Sequence, residues 1–245
     1  MIFAGATDNG KVRSKNEDSF YAFYKEDTLY AIVADGMGGH NAGEVASNEA
    51  IRAFEESVMS AESASPLEQI VEAIQYANRR IFAMTVESPS LAGMGTTVTV
   101  CAVKEGHAVF ANVGDSRGYI IADEIRQVTT DHSLVEELLA NGDITEEEAR
   151  VHPKRNVITR AVGTAPTVVV DLFEHDIPSD NKILLCSDGL SNAVSNHKMF
   201  EIVHSSETLE KAVLKLIAEA NEMGGHDNIT ALVIGVDEGE KKNHE

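Results

Sequence analysis

The chain has 245 residues, of which 43% are hydrophobic and 24% charged, so it is not a disordered, collagen-like or coiled-coil sequence. Its length favours a single domain. The 40 acidic and 20 basic residues give a net charge of −20, which repels phosphate backbones and argues against nucleic-acid binding. So large an excess of acid suits divalent cations, although a coat that only keeps the protein soluble explains it equally well.

The cysteine content and the N-terminus exclude several further classes. Cys101 and Cys186 lie in separate apolar runs, which indicates buried free thiols and no disulfide framework. Neither has an arginine six positions later, so the loop of a cysteine-nucleophile phosphatase is absent. No apolar run is long enough to span a membrane. The N-terminus does not read as a signal peptide, and a cytoplasmic protein is expected.

The first third of the chain predicts one strand and two helices. Residues 29–34 form a short apolar run before an Asp-Gly turn signal, which is typical of a buried strand. Residues 42–59 follow a helical pattern. A second helix is predicted to begin after Ser65, because Pro66 suits its first position and Glu68 is placed to complete a capping box.

The middle of the chain predicts strands. Residues 96–103 are rich in β-branched side chains. Two further apolar runs, 108–113 and 118–121, flank the sequence Gly-Asp-Ser-Arg at 114–117. We expect these two runs to pair as a β-hairpin around that turn.

A polar stretch, residues 131–160, predicts an excursion over the surface. It has a short helical pattern at 133–140, and Thr145 and Glu148 have the spacing of a second capping box. We call residues 131–160 the flap.

The last third predicts strands at 168–173, 183–186 and 229–236, with a helix over 209–220 that ends at Gly224 and Gly225. Along the whole chain, strands follow one another in runs and helices occur in pairs. This order favours packed sheets covered by helices over a strict βαβ alternation.

Five aspartates lie at the edges of the predicted strands: Asp18, Asp35, Asp115, Asp188 and Asp227. If those edges converge, two carboxylates 4–5 Å apart repel by roughly 3–4 kcal/mol at an effective dielectric of 20. Either their pKa values rise or a divalent cation binds, and an oxygen-only ligand set favours Mg²⁺, Mn²⁺ or Ca²⁺ over Zn²⁺. Each Asp-Gly motif taken alone, however, is more simply a turn.

Two glycine-rich segments nearly match nucleotide-binding loops. The segment from Gly5 follows the phosphate-binding pattern, but Val12 stands where a hydroxyl residue should hold Mg²⁺. The segment from Gly36 lacks the third glycine of a dinucleotide fingerprint, and Asp35 would repel the pyrophosphate. No G-x-S-x-G elbow is present, which argues against a serine nucleophile.

Six motifs follow one another along the chain: DNGKVRSKNED at 8–18, VADGMGGH at 33–40, GTT at 95–97, NVGDSR at 112–117, LCSDGL at 185–190 and GHDNIT at 225–230. Each is weak alone, but together and in this order they resemble the metal-dependent serine/threonine protein phosphatases, the PPM family of the type 2C class. The similarity spans residues 8–236. The Met that follows the Asp-Gly at 35–36, and the short length, resemble the bacterial stand-alone enzymes.

This resemblance implies a fold and a domain plan. The fold is α+β, a four-layer α-β-β-α sandwich of two antiparallel sheets flanked by helices, with a flap insertion. Residues 1–237 would form one phosphatase catalytic domain with the flap at about 131–163, and residues 238–245 a solvated tail.

The resemblance also implies two bound metals, Mg²⁺ or Mn²⁺, and a third. Asp35 would bridge the first two metals. The carbonyl of Gly36 would bind one of them, and Asp188 and Asp227 would bind the other. Asp115, together with Asp188, would make the third site.

The remaining implied site residues act around those metals. Glu17 and Asp18 would hold metal-bound waters. Arg13 would hold the substrate phosphate with its planar fork. The leaving oxygen would take its proton from His40 or from a metal-bound water.

The implied activity is hydrolysis of phosphoserine and phosphothreonine in proteins by a metal-bridged hydroxide that attacks phosphorus in line. The implied partners are phosphoproteins, including a bacterial Ser/Thr kinase whose action the enzyme reverses. A monomer without nucleic-acid or membrane partners is expected. The alternative is a non-catalytic module that holds metal or binds a kinase, but such a module has no need of the intact aspartate set.

Overall fold

The structure, a computed structural model, describes residues 1–38, 42–62 and 65–236. The strands in these ranges are β1 (Ile2–Asp8), β2 (Asp18–Lys25), β3 (Thr28–Met37), β4 (Gly95–Thr96), β5 (Val98–Lys104), β6 (His107–Val113), β7 (Arg117–Ile121), β8 (Ile125–Gln127), β9 (Asp171–Asp176), β10 (Lys182–Cys186) and β11 (Ile229–Gly235). The helices are α1 (Ala42–Ser60), α2 (Pro66–Glu87), α3 (Leu134–Ala140), α4 (Glu146–Arg150), α5 (Asp188–Ser191), α6 (Asn196–Ser205) and α7 (Leu209–Glu222).

The strands form two antiparallel sheets. The first has the order β1-β11-β10-β7-β8 and the second the order β2-β3-β5-β6-β9, with β4 paired to β3. In the second sheet the register places Asp18 of β2 directly opposite Asp35 of β3. The first and last strands of the described ranges meet in the first sheet, where β1 pairs with β11 along its whole length.

Three apolar layers hold the sheets and helices together, because side chains alternate between the two faces of each strand. On β3, Leu29, Ala31 and Val33 face the other sheet, whereas the residues between them face α1 and α2. On β10, Leu185 faces the second sheet and Leu184 faces α6 and α7. The result is the predicted α-β-β-α sandwich.

Most predicted helices and strands are confirmed. The helix predicted at 42–59 is α1, and α2 begins with Pro66 behind a complete Ser65–Glu68 capping box. The second capping box, Thr145–Glu148, begins α4 in the flap. The last predicted helix and strand are α7 and β11.

The predicted hairpin is wrong. β6 pairs with β5 and β9 in the second sheet, whereas β7 pairs with β10 and β8 in the first. Residues 114–116 are therefore a crossover between sheets. Gly114 permits it with a φ of +113°, and a Cβ at this position would lie only 2.5 Å from Cγ2 of Thr97. The Thr97 and Ser116 hydroxyls, 2.8 Å apart, join the two sheets beside it.

Smaller differences concern strand bounds. The strand predicted at 168–173 occurs later, as β9, and the strand predicted at 96–103 is divided between β4 and β5. Gly5 lies inside β1, so the segment that resembled a phosphate-binding loop begins within a strand. Within the described ranges no helix is long and apolar enough to cross a membrane. The predicted tail, 238–245, lies outside the described residues.

Candidate active site

The apolar rows between the two sheets end in polar residues at one edge of the sandwich. The row on β3 continues beyond Val33 to Asp35, the row on β2 ends at Asp18, and the row on β11 ends at Thr230. Period-two alternation makes each of these side chains point the same way as the core residues before it. The packed apolar interior thus ends at a set of polar side chains that includes Asp18, Asp35 and Thr230, and we call the site that they line the cleft.

Asp18 is the most firmly held carboxylate of the cleft. Its Oδ2 accepts hydrogen bonds from the hydroxyls of Ser187 and Thr230, each at 2.7 Å. Its Oδ1 is buried and has no hydrogen-bond partner in the described part of the chain. Burial raises the pKa of Asp18 to about 7, with smaller contributions from Asp188 and Asp227, although the two hydroxyls oppose the rise.

Asp35 and Asp188 lie within electrostatic reach of each other, since the charge of Asp188 contributes to the raised pKa of Asp35. Burial raises the pKa of Asp188 to about 6, and burial together with repulsion from Asp18 and Asp188 raises that of Asp35 well above its ordinary value. Oδ1 of Asp188 is a second buried oxygen without a hydrogen-bond partner among the described residues.

Asp115 lies in the crossover between the sheets, and only 9% of it is exposed. Burial raises its pKa to about 8, and the charge of Asp188 is the next largest cause. The crossover between the two sheets, which replaces the predicted hairpin, therefore brings Asp115 within electrostatic reach of the cleft.

Glu17 and Gly36 meet at the beginning of α1. The amide of Gly36 donates to the carbonyl of Glu17 at 3.1 Å. A Cβ on Gly36 would lie 2.1 Å from the carbonyl oxygen of Gly43, and one on Gly43 would lie 2.7 Å from the Glu17 carboxyl group. Both positions therefore need glycine. Burial raises the pKa of Glu17, and Arg13 opposes this rise.

Arg13 and Asp227 form an ion pair, with Nη2 donating to Oδ2 at 2.8 Å. This contact joins the predicted phosphate-binding arginine to a predicted metal ligand. The side chains are 51% and 27% exposed, so the pair contributes at most about 1 kcal/mol and opens readily. The remaining predicted catalytic residue, His40, lies outside the described residues.

The donor set fits a hard divalent cation. Two buried carboxylate oxygens lack partners, the pKa values of four aspartates are raised, and no thiol or imidazole is among the groups that raise them. In the described ranges, no three His, Cys, Asp or Glu side chains form a ready-made metal cluster.

Several residues of the site carried no predicted role. Ser187 and Thr230 hold Asp18, and the side chain of Asn228 accepts from the amide of Glu17 at 2.8 Å. Nδ1 of His132 accepts from the amide of Gly114 at 3.0 Å, next to Asp115. The two hydroxyl residues and Asn228 lie close in sequence to predicted metal ligands, and this proximity is the one feature of the sequence that could have indicated their roles. His132 had none, because it is 18 positions from its partner.

Comparison with known proteins agrees with this geometry. The family model for protein phosphatase 2C matches residues 8–215. The serine/threonine phosphatase stp of Listeria monocytogenes serotype 4b (strain F2365) is 42% identical over 234 residues, which are 93% of this chain and 93% of that protein.

Solved structures match equally well. The crystal structure of the Mycobacterium tuberculosis serine/threonine phosphatase PstP/Ppp superposes with a TM-score of 0.89 at 37% identity, covering 96% of this chain and 98% of that one. The catalytic domain of serine threonine protein phosphatase PstP in complex with two manganese ions gives a TM-score of 0.85 at 36% identity, covering 95% and 96%. The chain therefore belongs to the protein phosphatase 2C family and is a protein serine/threonine phosphatase.

Proposed function

We propose that this phosphatase hydrolyses phosphoserine and phosphothreonine in proteins with two divalent cations, Mg²⁺ or Mn²⁺, in the cleft. The observation that carries the proposal is the pair of buried carboxylate oxygens, Oδ1 of Asp18 and Oδ1 of Asp188, that have no partner among the described residues. Leaving such oxygens bare is costly, and a bound cation removes the cost.

The ligand assignment follows the predicted roles. Asp35 would bridge the two cations, with the carbonyl of Gly36 on one and Asp188 and Asp227 on the other. Its position supports the bridging role, because the charges of four neighbouring aspartates, Asp18, Asp188, Asp115 and Asp227, contribute to its raised pKa.

Three further acids would complete the site. Glu17 and Asp18 would bind through water, and Asp115 would join Asp188 at a third cation. The charge of Asp188 is the next largest cause, after burial, of the raised pKa of Asp115, which supports their joint use.

The chemistry that the cations supply when bound is the acidification of water and its orientation for in-line attack on phosphorus. The chain's own contribution is to place the substrate. When Arg13 leaves Asp227, its guanidinium is free to hold two phosphoryl oxygens and to balance their charge. Substrate binding therefore exchanges one weak, exposed ion pair for a charge-assisted contact with phosphate.

The leaving Ser or Thr oxygen needs a proton, and the candidates remain His40 and a water of the site. Asp18 contributes differently: its two hydroxyl partners fix one carboxylate oxygen and direct the other into the cleft. We assign the flap to substrate choice, since α3 has no buried residue and the ends of the flap are anchored beside the cleft.

We also propose the cellular setting implied by the resemblance. The enzyme would act in the cytoplasm as a monomer, reversing a Ser/Thr kinase, and that kinase would itself be among the phosphoprotein substrates. Residues 1–237 would form one catalytic domain with the flap at about 131–163.

Release of phosphate from a phosphothreonine peptide with Mn²⁺, and then with excess chelator, tests the proposal. Turnover should stop with chelator and return with added cation, whereas a metal-holding or kinase-binding module without catalysis would release no phosphate at any stage. Asp188→Ala should lose at least two to three orders of magnitude in rate, the scale of removing a transition-state stabiliser. The exposed Asp123→Ala is the matched control. Turnover that survives complete removal of metal contradicts the mechanism.

A further inference from the structure

Residues 9–17, which we call the arginine loop, connect β1 to β2 and carry both Arg13 and Glu17. The five central residues, 11–15, are exposed, so burial of apolar surface cannot hold them in place. The path of the loop's backbone must therefore depend on hydrogen bonds, one of which runs within the loop from Nδ2 of Asn9 to the carbonyl of Arg13.

The first half of the arginine loop is seated on the turn before β11. The amides of Lys11 and Val12 both donate to the carbonyl of Gly225, at 2.7 and 3.2 Å. Gly10 has a φ of +72°, and a Cβ there would lie 2.2 Å from the carbonyl oxygen of Asp227. The backbone of the loop thus touches the turn that carries a predicted metal ligand.

Asn228, the next residue of that turn, ties the two ends of the loop together. Its Nδ2 donates to the carbonyls of Asn9, at 3.0 Å, and Lys15, at 2.8 Å. Its Oδ1 accepts from the amide of Glu17 at 2.8 Å. Both amide protons are used, the oxygen has a partner, and the residue is only 6% exposed, so the side chain is committed to the backbone of the loop.

We propose that Asn228 is the positioning residue of the arginine loop, and through it of the Arg13 phosphate contact. It binds no substrate or cation itself. By holding the backbone at both ends of the loop, it fixes the direction in which Arg13 leaves the chain and keeps Glu17 against Gly36. The inference rests on the role of Arg13 in the proposed function.

Kinetics with a small aryl phosphate give the first test. Asn228→Ala should raise KM roughly ten- to a hundredfold, the range for losing a charge-assisted contact. Arg13→Ala should have a similar effect. The double variant should be little worse than Arg13→Ala alone, because both changes remove the same contact. If the two losses multiply, Asn228 acts elsewhere and the inference is wrong.

Hydrogen–deuterium exchange with bound Mn²⁺ gives a readout that does not depend on activity. The amides of Lys11 and Val12 bond to Gly225 and not to Asn228, so faster exchange there reports movement of the whole loop. We expect at least about a tenfold increase in Asn228→Ala. Unchanged exchange at these two amides would overturn the inference.

Two further variants keep the test decisive. Asn228→Asp preserves the shape and the acceptor for Glu17, removes the two donors and adds a negative charge that repels the carbonyls of Asn9 and Lys15, so it should also speed exchange at Lys11 if the alanine variant fails to fold. Asn78→Ala is the matched control: Asn78 is also buried and bonds two backbone groups, at Ala165 and Gly163. It should lower the melting temperature but leave loop exchange and KM unchanged.

The outcome also separates this inference from the proposed function. If Arg13→Ala leaves KM unchanged while Asn228→Ala speeds exchange at Lys11 and Val12, the loop-holding role of Asn228 is supported and the assigned role of Arg13 is wrong. If Arg13→Ala raises KM and the Asn228 variants alter neither KM nor exchange, the proposed function stands and this inference falls.

Discussion

The cleft and the flap adjoin each other but are held in different ways. The cleft aspartates stand at the ends of core strands, with their carboxyl groups enclosed by the sandwich, and burial raises the pKa of four of them. In the flap, α3 has no buried residue, and ion pairs hold the two ends. Asp131 receives a forked pair of hydrogen bonds from Arg117, and Arg160 bonds Asp171 at 2.6 Å.

This difference shows how each region contributes to the free energy of unfolding. The cleft holds several acids together against their mutual repulsion, so the metal-free protein loses stability there and gains a cation site in return. The middle of the flap contributes little to the stability of the protein, whereas the contacts at its ends contribute more. Substitutions of cleft acids should therefore lower activity and raise the stability of the metal-free protein. Substitutions at the flap ends should lower stability. Substitutions in the middle of the flap should change substrate preference.

The largest effect should come from Asp35→Asn. Loss of the central carboxylate should lower the rate with Mn²⁺ by at least two to three orders of magnitude. The same change removes a repelled charge, so the free energy of unfolding in chelator at pH 8 should rise by about 1 kcal/mol or more, the value of one pKa unit. Turnover and urea denaturation measure the two effects. A variant that is slow and also less stable in chelator would contradict the view that repulsion among the cleft acids destabilises the metal-free protein.

The pH dependence of metal-free stability is the next effect. The folded pKa of Asp18, about 7, lies above the value of 3.8 for the free side chain, so the unfolded chain releases this proton first as the pH rises. The stabilisation is fully present below about pH 4 and is lost as the pH rises through 7. Asp18 alone should lower the free energy of unfolding by on the order of 2–3 kcal/mol between pH 5 and pH 8.

Urea denaturation in chelator at both pH values measures this loss. Asp18→Asn cannot titrate, so its loss over the same range should be smaller by that amount. Added Mn²⁺ should reduce the wild-type loss, because the cation favours the ionised carboxylates. Equal losses in wild type and variant would show that the carboxyl group of Asp18 is ionised throughout.

Arg117→Ala tests the flap end. Removing the arginine leaves Asp131, which is 8% exposed, without its ion-pair partner, and an unpaired buried charge costs roughly 3 kcal/mol. The control is Arg79→Ala, because Arg79 and Glu72 form a pair of equal length, 2.7 Å, between side chains that are 53% and 67% exposed. That variant should lose less than about 1 kcal/mol. Similar urea midpoints for the two variants would remove the distinction between buried and exposed pairs.

The sequence was a good guide wherever an interaction is local. Ser65 and Glu68 are close along the chain, so their capping box could be predicted, and the apolar run before Asp35 marked its place at a strand end. The motif order indicated the family, but the Asp-Gly signals did not show which carboxylates touch.

The features that could not be predicted from the sequence depend on contacts between residues that are far apart along the chain. β6 and β7 have the pattern of a hairpin, and only their partners, β5 and β10, decide that they belong to different sheets. The pair of Arg13 with Asp227 joins residues 214 positions apart, and no local pattern indicates it. The helix α6 was missed although Ser195 caps it, because its pattern is short and weak.

The smallest effect should come from the middle of the flap. Replacing residues 138–151 with a Gly/Ser segment of equal length removes its exposed helical surface but leaves Asp131, His132 and Arg160 in place. Ala149, which is buried, is kept; the other side chains of the segment whose burial the structure describes are not buried, so stability should change little. The kcat/KM for a phosphoprotein should fall about tenfold more than that for a small aryl phosphate, which is ~1.4 kcal/mol of lost substrate contact. Equal losses on both substrates would mean that the middle of the flap acts on the chemistry of the cleft, and the two regions would then have to be treated as one.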